Sequence, residues 1–499
     1  MFEEWVGEAS VFGIEILPQP SKRLCTQKPA GTLHTDGVGY TLLVDREVKL
    51  EIPDQGGPLT DRLLASKNRF SAGAGAAREV REQRRRAFES VWTMVGVALI
   101  VRLIVMRFSY PALLDPARDH FAFGFEFGQV AQSIATGQGF SSPYPEPSGP
   151  TALVGPGYAY LLAGIFKLFG VFTKASALVT LTLNNLMSSL TCLPVFFIAR
   201  RSFGPQIAVW SGWTWAFYPH SIAGSNIWVW ETILTTLLLT LLLLYTLNLE
   251  HSTSYMAWLG YSLLWAITAL TSANVLSTLP FFGAWIFIQQ WRSHILRLGP
   301  IIAASLVFVI GMAPWAWRSS HSYGRFVAFR GNLGLEVLVG NSSDTTHPSN
   351  WNVLPGYNAA EMRELQRLGE SEYMAEKQRE AARVVEDHPL WFAGQTLRRI
   401  LYTWTNLWDF PPRWTFGESG LPDVLTYTLY SVLAFFGLRW AIQKRWEETI
   451  PLIIPLGFFP MIYYLTHQDD GRFRHPVDPV IVIFAVCGAY SLLSKRAAT

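Results

Sequence analysis

The chain has 499 residues, 50% of them hydrophobic and 14% aromatic, and only 15% are charged, well under the roughly 25% of an average soluble domain. A net charge of +3 is too small and too dispersed for a nucleic-acid footprint, and the 20 Trp read as interfacial anchors, not as stacking platforms for bases. The three cysteines, Cys25, Cys192 and Cys487, have neither a metal-ligand spacing nor the pattern of a disulfide framework.

The apolar residues gather into runs of about 18 to 24, which match the hydrocarbon thickness of a bilayer. The fold expected is therefore an all-α polytopic membrane protein. Residues 1–87 stand apart: they mix Gly, Pro and charges without helical periodicity, and only Tyr40-Thr-Leu-Leu-Val-Asp45 alternates in the manner of a strand. This segment is expected to be cytoplasmic and mostly disordered, and it is no signal peptide, having no apolar core near its start. It ends in the basic run Arg78-Glu-Val-Arg-Glu-Gln-Arg-Arg-Arg86, which should hold this side of the first span in the cytoplasm.

Ten spans are predicted: Ser90–Phe108, Ser176–Ala199, Gln206–His220, Ile227–Asn248, Tyr255–Leu270, Val275–Ile288, Leu298–Trp315, Val424–Ala441, Ile450–Leu465 and Val480–Leu493. Counting from a cytoplasmic N-terminus puts Arg200-Arg201, Arg292 to Arg297, Arg439 to Arg445 and Lys495-Arg496 all inside, as the positive-inside rule requires. Both termini are then cytoplasmic. The polar segments 109–175, 316–420 and 466–477 fall outside together, so chemistry is expected on that face. In the second of them, Asn358-Ala-Ala-Glu361 is a capping box that opens a short helix ending at Gly369, and Glu372–Asp387 continues as a charged helix stopped by Pro389. The aromatic stretch Trp391–Trp408 carries Arg398-Arg399 at its centre, which favours a helix lying in the interface over an eleventh span.

The first outer loop contains Asp119-His-Phe-Ala-Phe-Gly-Phe-Glu126, then two amphipathic helical pieces flanking the Gly/Pro stretch Gly149-Pro-Thr-Ala-Leu-Val-Gly-Pro-Gly157. Glu126 lies among aromatic and apolar residues, where desolvation raises a carboxyl pKa toward that of a usable general base; a solvated loop acid is the plainer alternative. Glu231, in Asn226-Ile-Trp-Val-Trp-Glu-Thr, stands near the outer end of its span, an expensive place for an acid without a role or a partner.

This order of features resembles the GT-C glycosyltransferases, in particular the protein O-mannosyltransferases and aminoarabinose–lipid A transferases. The resemblance covers about residues 90–495 and rests on Phe166-Lys-Leu-Phe-Gly170, the closing Ala199-Arg-Arg-Ser-Phe-Gly204 and the Arg472-Phe-Arg474-His475-Pro476 segment before the final span. Where the family carries an Asp-Glu pair this chain has Phe123-Gly124. The resemblance therefore implies Glu126 as the catalytic acid, with Asp119 in reserve, and Glu231 as a second acid lining the same cleft.

It also implies a polyprenyl-phosphate-linked sugar as donor, whose leaving phosphate needs cationic contacts. Arg472 and Arg474, with His475 beside them, are the expected contacts; Arg318 and Arg102 are weaker candidates because either could snorkel. The stretch Gly324 to Glu336 looks like the start of the family's outer loop, with no role derivable from the residues. There is no Walker loop, no His-Glu-x-x-His, no nucleophile elbow and no Asp-x-Asp pair, which argues against nucleotide-sugar chemistry. No resident cofactor or metal is expected, a divalent ion being left open. The reaction expected is inverting transfer of one sugar to an acceptor hydroxyl of a lipid, polysaccharide or protein at the outer face of the plasma (inner) membrane. A secondary transporter, a non-catalytic scaffold and a carbohydrate ligase are the rivals.

Overall fold

The computed structural model describes residues 86–113, 125–342, 348–415, 419–468 and 470–498, all within one compact unit. The expected segment 1–87 falls almost wholly outside these residues and Asp119 wholly so. Among the described residues there is no strand, only the isolated bridges Ser141–Pro150 and Arg413–Gly420. The chain is a polytopic helical membrane protein. Seven helical stretches of the described residues are long and apolar enough to cross a membrane: Val91–Ser109, Lys174–Phe203, Thr232–Leu249, Leu298–Tyr323, Leu421–Lys444, Trp446–Leu465 and Gly471–Ser494.

In chain order the helices are α1 (Val91–Leu113), α2 (Glu126–Ala135), α3 (Pro156–Phe169), α4 (Lys174–Leu190), α5 (Cys192–Phe203), α6 (Pro205–Ala216), α7 (Pro219–Ile227), α8 (Thr232–Leu249), α9 (Tyr255–Thr271) and α10 (Leu279–Arg292). There follow α11 (Leu298–Tyr323), α12 (Leu333–Asn341), α13 (Ala359–Leu368), α14 (Glu370–Asp387), α15 (Pro389–Thr405), α16 (Leu421–Lys444), α17 (Trp446–Phe458), α18 (Met461–Leu465) and α19 (Asp478–Ala498). The three remaining expected spans are helices too, but short ones: α6 has 12 residues, α9 has 17 and α10 has 14. The predicted span at Gln206–His220 is interrupted at Phe217-Tyr218, and that at Val275–Ile288 begins as the 3₁₀ turn Ala273–Thr278.

Sequence explains the breaks. Pro205, Pro219, Pro156, Pro389 and Pro422 each stand in the first turn of a helix, where a missing N–H costs nothing and a fixed φ favours the helix. The tightest crossing, α16 on α19, depends on two glycines. A Cβ on Gly437 would lie 1.7 Å from the Phe484 carbonyl oxygen, and one on Gly488 would lie 2.1 Å from that of Leu433. Only hydrogen at both places lets the backbones approach this closely.

The polar segments converge, as expected. Helices α2 and α3 flank the loop of residues 136–155, and α12 to α15 form a small helical cap upon it. The α13 start is capped by the Asn358 side chain, which accepts from the Ala360 N–H at 2.9 Å. Glu361, the expected return partner of that capping box, instead takes the Lys377 ammonium at 2.9 Å and the Tyr373 hydroxyl at 2.7 Å. Helix α14 starts at Glu370, two residues ahead of expectation. Its first side chain is buried and accepts from the Ala152 N–H at 2.9 Å and from the Tyr323 hydroxyl. In α15, Arg399 does not reach toward solvent. It is fully buried and donates to the carbonyls of Tyr464 and Gly340 and to Asn341 Oδ1, each at 2.8 Å, tying the cap to the end of α18.

Candidate active site

One cavity of about 280 Å3 opens where these segments meet. Its walls come from the α2 start, the loop at Tyr144 and Leu153-Val154, the α8 start, the Ser272–Asn274 interruption after α9, residues 329–336, Trp351, the α17–α18 joint and the segment from Thr466 to Pro476. Of the residues expected to carry chemistry, Glu126, Glu231 and Arg472 all line it. Glu231 is 105 positions and Arg472 346 positions from Glu126 in the chain, so the fold itself assembles them.

Glu126 is the first residue of α2. A carboxylate there is favoured by the partial positive charge of the helix N-terminus, but the surroundings work against ionisation more strongly. Burial raises its pKa to about 7; the backbone N–H at the helix start and the Arg472 and Arg330 charges pull it down, and Glu336 pushes it up. A carboxyl poised near neutrality can both hold and release a proton at physiological pH. Glu231 immediately precedes α8 without making a side-chain cap, so its carboxylate is available to the cavity. The Arg472 guanidinium lies 4.4 Å from the Trp230 ring centroid and 4.7 Å from that of Phe473, and its Nε is 3.6 Å from Asp470 Oδ2. These contacts hold a mostly buried cation at the edge of the cavity, the placement an anionic group needs for charge-assisted contact.

Four other expected phosphate contacts are elsewhere, and each is placed by a structural task. Arg102 is fully buried inside the bundle. It donates to Ser188 Oγ at 3.0 Å, to Ser221 Oγ at 2.6 Å and to the Ala216 and Trp215 carbonyls at 3.0 and 3.3 Å. Those carbonyls end α6, so Arg102 satisfies acceptors orphaned by the helix break and neither snorkels nor meets the cavity. Arg474 is likewise fully buried. Its Nε donates to Asp478 Oδ1 at 2.8 Å, its Nη1 reaches the Thr403 carbonyl at the end of α15 at 3.3 Å, and its plane lies 4.3 Å from the Tyr427 ring centroid. His475 sits beside the same acid, 3.3 Å from Asp478 Oδ2, and is stacked on Trp215. Arg318 donates to the Thr151 and Phe140 carbonyls and packs over the Phe140 and Trp315 rings. It shapes the loop that carries Tyr144 and Leu153.

The cavity also contains groups with no assigned role in the sequence. Glu336 accepts from Asn332 Nδ2 at 2.5 Å and Arg330 Nη2 at 3.3 Å, and its second oxygen is 3.2 Å from His467 Nδ1. Arg330 also donates through Nε to the Leu153 carbonyl at 2.6 Å. On the far wall the Asn274 amide donates to the Tyr463 hydroxyl at 2.6 Å. The only signal in the sequence was the stretch from Gly324 to Glu336, which looked like the start of the family's outer loop and had no derivable role; His467 gave none, because its partner is 131 positions away. Among the described residues no three His, Cys, Asp or Glu side chains are close enough together to hold a metal ion.

No family model matches the sequence, and no curated protein matches it. Several solved structures are similar. The archaeal oligosaccharyltransferase AglB from Archaeoglobus fulgidus, in complex with an inhibitory peptide and a dolichol-phosphate, is 16% identical with a TM-score of 0.47, over 81% of this chain and 50% of that one. An Archaeoglobus fulgidus oligosaccharyltransferase in the apo form gives 14%, 0.49, 81% and 51%. ArnT from Cupriavidus metallidurans bound to undecaprenyl phosphate is 16% identical with a TM-score of 0.43, over 80% of this chain and 59% of that one. The chain thus spans between half and three fifths of the length of these structures. At such scores the functional reading rests on the site itself.

Proposed function

We propose that the chain is a GT-C-type glycosyltransferase that moves one sugar from a polyprenyl-phosphate carrier to an acceptor hydroxyl, with inversion, at the extracytoplasmic face of the plasma membrane. The observation that carries this reading is the meeting, in one cavity at the end of a membrane bundle, of a near-neutral carboxyl and a guanidinium held at the cavity edge.

In this reading the Glu126 carboxylate accepts the proton of the acceptor O–H. The acceptor oxygen forms a bond to the anomeric carbon as the bond from that carbon to the phosphate oxygen breaks, and the electron pair leaves with the polyprenyl phosphate. Arg472 faces the charge that grows on the departing phosphate, stronger there than in the ground state, which is the condition for lowering the barrier. Glu231, which lines the same cavity, holds sugar hydroxyls, and Asp119 is the reserve base. The donor lipid is a co-substrate, and no resident cofactor enters the scheme. With both termini cytoplasmic, the three converging segments face outward.

The test is sugar transfer by purified protein in nanodiscs with labelled polyprenyl-phosphate sugars, comparing wild type with Glu126→Gln. Release of free polyprenyl phosphate by wild type and its loss in the variant is the expected result. Equal activity in both would remove Glu126 as the base, and no turnover with any donor would remove the transferase reading.

A further inference from the structure

The cap side of the cavity carries a chain of aromatic rings that leads toward the start of α2. Trp351 lines the cavity on that side, 6.2 Å from the His467 ring and 5.5 Å from Tyr357. Tyr357 is 41% exposed and lies 5.6 Å from Phe125, the residue directly before Glu126. An aromatic rim therefore runs from the outer surface of the cap to the base. Below it, His467 is buried between Trp351 and Phe473, the second ring 5.3 Å away at 80°. Its Nδ1 lies 3.2 Å from Glu336 Oε2 without a hydrogen bond to it, and that carboxylate is already fixed through its other oxygen by Asn332 and Arg330.

We propose that Trp351 and the His467–Glu336 pair form the acceptor subsite, and that the acceptor is a carbohydrate. The proposal rests on the transferase reading and adds the class of the second substrate. A pyranose has an apolar face of C–H groups and a rim of hydroxyls. An aromatic face beside planar donors and acceptors held in fixed positions answers both. Trp offers the largest ring surface for such a face. A carboxylate with its own donors satisfied on one oxygen and an imidazole beside the other can accept from and donate to a pair of neighbouring hydroxyls. A site built to hydrogen-bond hydroxyls discriminates strongly, because a ligand lacking them leaves buried polar groups unpaired. Trp351 and Glu126 line the same cavity, so a sugar stacked on Trp351 would share the space that the base faces.

The experiment uses the purified full chain with two readouts. In the first, wild type, Trp351→Ala and Trp351→Phe are applied to an array of neutral and acidic oligosaccharides. We expect binding by wild type, a Kd about tenfold weaker in Trp351→Ala, and most of it regained in Trp351→Phe, as loss of one aromatic contact and its partial return imply. In the second, transfer is followed with an oligosaccharide, a hydroxyl-bearing peptide and a phosphatidylglycerol vesicle as competing acceptors. The oligosaccharide should be the one modified, and Trp351→Ala should raise the acceptor KM about tenfold while the donor KM moves less than about twofold. His467→Gln should raise the acceptor KM and alter the set of glycans bound. No glycan bound by wild type, transfer to peptide or vesicle in preference to oligosaccharide, or equal changes in both KM values would overturn the proposal. If glycans bind through Trp351 but no donor is ever consumed, the transferase reading fails and the carbohydrate subsite stands; transfer to peptide alone has the reverse meaning.

Discussion

The pH dependence of turnover gives the sharpest test of how the cavity sets Glu126. A base must be ionised to accept the acceptor proton, and burial holds this carboxyl at about 7 where its ordinary value is 4.5. Below that point kcat/KM should fall about tenfold per pH unit, so that at pH 6 about a tenth of the enzyme is competent and at pH 5 about a hundredth. Two variants move the limb in opposite directions. Glu336 is a like charge that raises the Glu126 pKa, whereas Arg472 is an opposite charge that lowers it. Glu336→Gln should shift the acid limb to lower pH and Arg472→Gln to higher pH, apart from any loss of maximal rate. The assay is initial rate of polyprenyl phosphate release from pH 5 to 9 at low substrate, in a detergent free of titrating groups. An acid limb centred near 4.5, or a shift of the same sign in both variants, would refute the assignment of the base.

Glu126→Gln should abolish transfer yet stabilise the protein. A raised carboxyl pKa means that the folded state resists ionisation, a cost absent below pH 4.5, growing to about pH 7 and constant above. The neutral amide removes a cost of at most about 3 kcal/mol, so the gain in Tm should be clear at pH 8 and fall to about a quarter of that at pH 5. Arg472→Gln should lower kcat/KM by about 10² to 10³ while leaving Tm within a few degrees, as loss of one cationic contact to a developing anion predicts. Arg474→Met should do the opposite, leaving the buried Asp478 charged with His475 but no guanidinium beside it, at a cost of up to about 3–5 kcal/mol, and depressing the yield of folded protein. The double change Arg474→Met with Asp478→Leu should recover much of that loss, which a thermal-shift cycle on the four proteins would measure.

Much of this architecture was legible from apolar run length, charge balance and cap chemistry. The runs fixed a helical membrane bundle because no other solvent suits them, and the alternation of basic clusters brought three polar segments to one end, where they are found packed together. Glu126 and Glu231 stood out because acids among apolar residues are costly. The arginines were harder to separate. Arg472 and Arg474 are two positions apart on 3₁₀ turns, so one faces the cavity and the other turns inward to Asp478. Only the later acid at i+4 hinted which was which. Arg102 likewise reads as a functional charge in an apolar span until the α6 break supplies its partners. Arg330, Glu336 and His467 were invisible as a group, since no periodicity links an outer loop to a segment 131 residues on.

The interruptions that blurred the span boundaries are also what make the site. The cavity wall includes Trp230–Glu231 before α8, Ser272–Asn274 between α9 and α10, and Phe459 at the joint of α17 and α18. A continuous helix has its backbone donors and acceptors bonded internally and presents only side chains. A broken one frees polar groups, and irregular backbone among apolar helices persists where it is buried in protein or lines a water-filled space. Reading Ile227–Asn248 and Ile450–Leu465 as plain spans therefore missed more than a boundary. It passed over the places where a bundle of apolar helices opens into the cavity that the proposed reaction would use.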